Sequence, residues 1–140
     1  MPDRTDPMKE AEIKRIEKVT EFPLPSEYRN LLLQFPPELE ATLNCRPKDE
    51  RAIFTDSATI IRWNKFFRAP DYEYEDSNGE ICTFPRHHVV IGANAGGDFF
   101  HLNTKRKLPN VLLWCHEDGE YLVQSKDLPA FVRSILKNNR

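Results

Sequence analysis

The residues best equipped for chemistry lie in the middle and late parts of the chain: His87-His88, Asp98, His101 and Cys115-His116. Histidine supplies a base near neutral pH or a metal ligand, and a neighbouring carboxylate can orient its ring. A metal centre needs ligands that recur on one side of an element. The chain has no Cys-x-x-Cys and no His-x-x-x-His, and neighbours on a strand point to opposite faces, so each adjacent pair offers at most one ligand. Neither a metal nor a cofactor is expected. Asp98 with His101 is the best acid–base pair, and a small hydrolase is the reaction class it would serve. The simpler expectation is that Asp98 caps a turn and His101 is exposed or at a sheet edge. There is no Gly-x-Ser-x-Gly elbow and no cysteine in a recognisable nucleophile setting. The chain reads as a non-enzyme.

These side chains are expected near one sheet built around a single stretch, Val89-Val90-Ile91-Gly92-Ala93-Asn94-Ala95-Gly96-Gly97-Asp98-Phe99-Phe100-His101-Leu102-Asn103, which holds Asp98, His101 and three of the five glycines. It reads as strand, tight turn, strand. Asn94, Gly96 and Gly97 are types that accept positive φ cheaply, and Asp98 can bond the turn's own amides, so a hairpin is expected. Gly92-x-x-x-Gly96-Gly97 also invites a phosphate-loop reading. That loop needs a helix behind the glycines and a Lys followed by Ser or Thr, and here Asp98-Phe99-Phe100 follows instead.

The 140 residues suit one domain with a real core. With 39% hydrophobic and 30% charged residues, the composition is that of a water-soluble globular chain. A net charge of −2 gives no electrostatic case for nucleic acid or an anionic membrane surface. No apolar run approaches the ~20 residues that span a bilayer. The N-terminal residues lack the apolar core of a signal peptide, so the expected setting is cytoplasmic. Cys45, Cys82 and Cys115, odd in number and widely spaced, read as ordinary thiols in a reducing compartment.

Taken in order, residues 1–6 read as loose. Asp6-Pro7 starts a helix from Met8 to about Glu21, with Ile13, Ile16 and Val19 or Thr20 as its apolar stripe. Pro25 opens a second helix whose core face is Tyr28, Leu31, Leu32 and Phe35, and Pro36-Pro37 stops it. Residues 36–50 have no settled conformation in this reading, although Leu39 and Leu43 are helically spaced. Ala52-Ile53-Phe54-Thr55 reads as a short strand. Asp56 or Ser57 caps a helix bearing Ile60, Trp63, Asn64 and Phe67. The acidic segment 71–80 reads as a solvated loop or edge hairpin turning at Asn78-Gly79, and Ile81 to Phe84 as a strand. After the central hairpin, Val111 to Cys115 reads as a strand covered on both faces. Glu117-Asp118-Gly119 turns into a strand at 120–124. A last helix, capped by Ser125 or Asp127, buries Leu128, Phe131, Val132, Ile135 and Leu136. The order predicts an α+β single domain: an antiparallel β-sheet flanked by N-terminal helices and a C-terminal helix.

Three local patterns now coincide. They are Leu24-Pro25-x-x-Tyr28 opening a helix, Ile91-Gly92-x-Asn94-x-Gly96-Gly97-Asp98 before an aromatic strand, and Ser125-x-x-Leu128-x-x-Phe131 opening the last helix. Together they resemble the SUKH superfamily, which includes fungal cell-wall-synthesis regulators and many bacterial immunity proteins, from about Ile13 to Leu136. The chain departs from the family at Phe35-Pro36-Pro37-Glu38, where members usually carry a Gly-rich turn, and Ala95 precedes Gly96-Gly97 where members run Gly-Gly-Gly-Asp. The resemblance implies Gly92, Asn94, Gly96, Gly97 and Asp98 as a structural turn. It also implies a non-catalytic domain that binds another protein: an immunity protein that neutralises a cognate toxin or, alternatively, a regulatory or scaffolding module.

For such a partner the acidic segment is the expected contact: Asp71, Tyr72, Glu73, Tyr74, Glu75 and Asp76. Tyrosine anchors interfaces at low entropic cost, and carboxylates complement basic partners and speed encounter. A nuclease toxin is basic where it grips phosphates, which suits an acidic inhibitor.

Overall fold

The computed structural model describes residues 8–138, so the expectations for residues 1–6 and for a helix start at Asp6-Pro7 lie outside the described residues. The fold is α+β. Helices α1 (Glu10–Thr20), α2 (Ser26–Leu33) and α3 (Pro37–Leu43) lead, through a single 3-10 turn at Lys48–Glu50, to α4 (Ser57–Phe67). Strands β1 (Tyr74–Glu75) and β2 (Ile81–Cys82) make a small hairpin. Strands β3 (His88–Ala93), β4 (Phe99–Asn103), β5 (Val111–Trp114) and β6 (Tyr121–Ser125) form an antiparallel sheet in that order, and α5 (Leu128–Asn138) closes the chain.

Each helix is held by its stripe. Ile13 and Ile16 of α1 are fully buried, with Thr20 beside them, while Val19 is half-buried. Burying one such aliphatic side chain contributes about 1.5–3 kcal/mol, against a few tenths for most differences in helix propensity. Packing therefore decides that α1 forms. In α2, Tyr28 and Leu32 are the fully covered pair, with Leu31 and Phe35 half-buried. Pro36-Pro37 does more than stop α2. Pro37 takes the first position of α3, where its missing N–H costs nothing, and Leu39 and Leu43 are buried one turn apart. Residues 37–43 are thus helical. Asp56 caps α4 by accepting the Thr59 N–H at 3.0 Å, and Asp127 accepts the Ala130 N–H at 2.9 Å at the start of α5.

Strands β3 and β4 are covered on both sides, whereas β6 is largely exposed. The register of the sheet puts His88, Val90, Phe99, His101, Trp114 and Tyr121 on one face. There Trp63 and Phe67 of α4, together with Phe84, build an aromatic layer: Phe67 lies 4.9 Å from Phe99, 5.6 Å from Phe84 and 5.8 Å from Trp114 between ring centroids. The opposite face meets α5, where Phe100 stacks 4.9 Å from Phe131. β5 is less enclosed than expected, with Leu112 and Leu113 only half-buried.

The expected strand at Ala52–Thr55 does not form. This segment instead crosses the outer edge of β3 at a bend, where Phe54 N–H donates to Ile91 O at 2.7 Å and Ala93 N–H donates to Arg51 O at 2.8 Å. Its backbone comes so close that a Cβ on Gly92 would stand 1.8 Å from Ala52 O. The register of β3 shifts between Val90 and Gly92, so the strand bends where it passes under this crossing. The expected strand at 81–84 is shortened to Ile81–Cys82 because Phe84 turns into the aromatic layer.

Candidate functional site

The glycine-rich turn between β3 and β4 is a hairpin, and its chemistry is assigned differently from the expectation. Asn94 does the capping. Its Oδ1 accepts the N–H groups of Gly96 at 2.9 Å and Asp98 at 3.0 Å, while its own N–H donates to Asp98 O at 3.0 Å. Of the three residues expected to tolerate positive φ, only Gly97 uses it, at φ 90. Asp98 does not bond the turn's backbone amides through its side chain; within the turn it accepts only from the Asn94 carboxamide, at 3.4 Å. Its carboxylate reaches over to the β5–β6 connection, where Oδ1 accepts His116 N–H at 3.0 Å and meets His116 Nδ1 at 2.7 Å. Burial would raise the Asp98 pKa, but the His116 N–H, the His116 ring and the Asn94 amide outweigh it and hold the carboxyl below its usual range.

The Asp98–His101 pair needed for a hydrolase does not form. Three positions apart along a strand direction, the two side chains leave from opposite faces, and Asp98 is taken by His116. His101 is not exposed or at an edge: it is 1% exposed inside the aromatic layer, Nδ1 to Nδ1 with His88 at 3.3 Å. The cleft lined by Phe67, Arg68, Thr83 and Arg86 and the cleft lined by Thr42, Arg46, Glu50 and Asn94 include neither Asp98 nor His101. Among the described residues no three His, Cys, Asp or Glu side chains are placed to hold a metal ion together.

The acidic segment is an edge hairpin with two distinct sides. Tyr74 pairs with Cys82 and Glu75 with Ile81. Asp76 Oδ1 accepts the N–H groups of Asn78 at 2.9 Å and Glu80 at 3.0 Å. The Glu80 amide is the main reason its carboxyl lies below the usual range. Tyr72 is half-buried, 5.0 Å from Phe67 and 5.5 Å from Phe66 between centroids, and burial pushes its hydroxyl up to about 12. Tyr74 lies edge-on to Trp114 at 5.1 Å and close against Gly119, where an added Cβ would meet the Tyr74 ring at 2.8 Å. The tyrosines thus hold the hairpin to the body and Asp76 closes its turn, whereas Asp71, Glu73 and Glu75 alternate outward and are exposed.

A second set of carboxylates adjoins this hairpin. Ser77 Oγ donates to Glu120 Oε2 at 2.6 Å, so the β5–β6 turn, with exposed Glu117, Asp118 and Glu120, lies against the 71–80 hairpin. Glu80 is exposed as well. Sequence reasoning found the two turns separately and missed that they meet. The one available signal was Gly119, a residue without a side chain opposite an aromatic.

The geometry of the hairpin, the turn and the terminal helix now allows comparison with known proteins. The family model described as SMI1 / KNR4 family (SUKH-1) matches residues 7–134. The chain belongs to this family. The match takes in every element from α1 to β6 and most of α5, including all three sequence patterns that carried the SUKH resemblance. Searches of curated proteins and of solved structures return no match. Among the described residues of this SUKH chain, no helix is long and apolar enough to cross a membrane.

Proposed function

We propose that this SUKH-family chain is a non-catalytic, protein-binding immunity factor that neutralises a basic toxin domain, such as a nuclease, with its acidic hairpin end. The observation that carries the reading is the division of labour in residues 71–76. Tyr72, Tyr74 and Asp76 are spent on packing and turn bonds, which leaves Asp71, Glu73 and Glu75 displayed from a fixed backbone beside Glu117, Asp118 and Glu120. A surface already ordered before binding loses little entropy on docking. Clustered carboxylates raise the encounter rate with a cationic surface, and they occupy the groups a nuclease uses for phosphates.

The test is capture from the lysate of the encoding organism with two baits, the native chain and the triple variant Asp71→Lys/Glu73→Lys/Glu75→Lys. We expect the native bait to retain one basic protein in a salt-sensitive way and the triple variant to bind it at least about tenfold more weakly. Cells expressing the recovered protein should survive only with the native chain. Equal capture by both baits would remove the acidic end from the interface. Recovery of a partner that is harmless when expressed alone would move the assignment to a regulatory or scaffolding module.

A further inference from the structure

The cleft between the C-terminal end of α4 and residues 83–86 gathers positive charge on an acidic chain. Its volume is about 450 Å³, within the range of small-molecule sites. Arg68 and Arg86 line it, and no carboxylate stands among its lining residues, although the chain carries 22 Asp and Glu against 20 Lys and Arg.

The two arginines differ in freedom. Arg68 is fixed: Nη1 donates to Asn64 Oδ1 at 2.9 Å, and Nη2 donates to Arg86 O at 3.0 Å and His88 O at 2.5 Å. Its guanidinium lies 4.8 Å from the centre of the Phe84 ring, and its Nε–H is buried without a partner among the described residues. The oxygens that hold Arg68 bring dipoles but no negative charge, so its whole charge stays in the wall of the cleft. Burial and then Arg86 push its pKa down to about 10, and the attraction of Glu21 is smaller than the repulsion of Arg86. Arg86 is the freer member. Its side chain is 60% exposed and spends Nη1 on Glu21 at 2.9 Å, while its other guanidinium N–H groups have no partner among the described residues. An exposed ion pair of this kind contributes little and yields to a better acceptor.

The hydroxyls of Tyr72 and Thr83, also in the cleft, have no hydrogen-bond partner among the described residues. Two cations, two unspent hydroxyls and an aromatic floor of Phe67, Phe84 and Tyr72 are the complement of a flat anion. Guanidinium groups bind oxyanions through charge-assisted hydrogen bonds, and rings pack against planar bodies. Pro70 and Pro85, with their fixed φ, stiffen the two lips, so little order is lost on binding.

We propose that this cleft is an oxyanion site: it takes a phosphate or carboxylate group borne on a flat apolar body, with the anion at Arg86 and Arg68 and the body on Phe84 and Tyr72. Glu21 is the intramolecular competitor for Arg86. The site shares Tyr72 with the acidic hairpin but uses none of Asp71, Glu73 and Glu75, so it does not depend on the toxin-binding reading.

Proton–nitrogen NMR titration of the full chain at fixed ionic strength tests this, with phenyl phosphate, benzoate, inorganic phosphate and neutral benzyl alcohol as probes. We expect amides within residues 67–72 and 83–86 to shift, with a Kd of about 1 mM for phenyl phosphate or benzoate. Whichever of the two binds more tightly fixes the class of anion. Inorganic phosphate and benzyl alcohol each lack half of the ligand and should bind at least about tenfold more weakly. Arg86→Gln, at an exposed position, should fold as the native chain does and raise the Kd about tenfold, whereas Glu21→Gln removes the competitor and should lower it about threefold. Failure of those amides to move at about 20 mM of both aromatic anions overturns the proposal. So does equal affinity in the native chain and Arg86→Gln, or binding of inorganic phosphate or benzyl alcohol as tight as that of the aromatic anions.

Discussion

His88 and His101 face each other Nδ1 to Nδ1 at 3.3 Å, across neighbouring strands and under the rings of Phe84 and Tyr121. Two imidazoles share that contact when one donates and the other accepts, which for two neutral rings requires opposite tautomers. Nothing nearby rewards a charge. Burial depresses the His88 pKa to about 4, with His87 and the Arg68 guanidinium adding to it, and burial, His88 and Arg68 take His101 well below its ordinary value.

Stability should therefore fall on mild acidification. Both histidines have folded pKa values below the ordinary 6.5, so the unfolded chain binds more protons once the pH drops below about 6.5. The contribution of the neutral pair is fully present above that value and is lost toward pH 4, at up to about 1.4 kcal/mol per pH unit for each ring. Urea unfolding at pH 7, 6 and 5 should show a declining free energy across this window. The carboxyls held low, Asp98, Asp76 and Glu12, add their losses only at more acid pH. A flat profile between pH 7 and 5 would mean that the pair is not enclosed as described.

How much of this was legible in the sequence depends on the range of the interaction. The apolar stripes of α1, α2 and α5 and the β3–β4 hairpin follow from local periodicity and turn residues, and these elements stand where expected. Residues 37–43 were harder, because Pro37 serves equally as a helix stop or a first helical residue. Ala52–Thr55 has strand-forming side chains but crosses β3 at an edge, a relationship set by residues some 40 positions later. The same applies at the site. Asp98 had two histidines within reach along the chain, and it takes His116 from across the sheet rather than His101, which the aromatic layer claims. The exposure of Asp71, Glu73 and Glu75 follows from strand alternation once Tyr72 and Tyr74 face inward, but charge alone does not say which side faces in.

The glycines of the central hairpin should separate sharply on substitution by alanine. At Gly96 a Cβ meets only the Asn94 Oδ1 at 3.4 Å and the backbone is unstrained, so Gly96→Ala should change stability by less than about 1 kcal/mol. Gly97→Ala forces an alanine to φ 90 against the His116 ring at 3.5 Å and should cost about 1–2 kcal/mol. Gly92→Ala puts a methyl 1.8 Å from Ala52 O, backbone against backbone, and no side chain can yield. It should cost more than about 4 kcal/mol or prevent folding. Thermal and urea melts of the three variants measure the order, and a tolerated Gly92→Ala would contradict the crossing of β3 by residues 51–54.

Asn64 holds the closed edge of the sheet with a single side chain. Its amide accepts the Val90 N–H and donates to Val90 O, both at 2.9 Å, donates to Ile60 O at 2.8 Å and accepts from Arg68 Nη1 at 2.9 Å, and the residue is fully buried. Hydrophobic substitution removes none of the groups it satisfies. Asn64→Leu leaves a strand N–H, a strand C=O and a guanidinium N–H without that partner, away from water. At about 1–3 kcal/mol for each buried group left unmade, the expected loss is about 3 kcal/mol or more. This exceeds what Leu gains by apolar burial at the same place, about 1.5–3 kcal/mol at best. The residue-specific readout is hydrogen exchange. The Val90 amide should be among the slowly exchanging protons of the native chain, and in the variant it should exchange faster while the β4–β5 amides keep their protection. If the Val90 amide stays equally protected in Asn64→Leu, then the 51–54 crossing alone closes that edge.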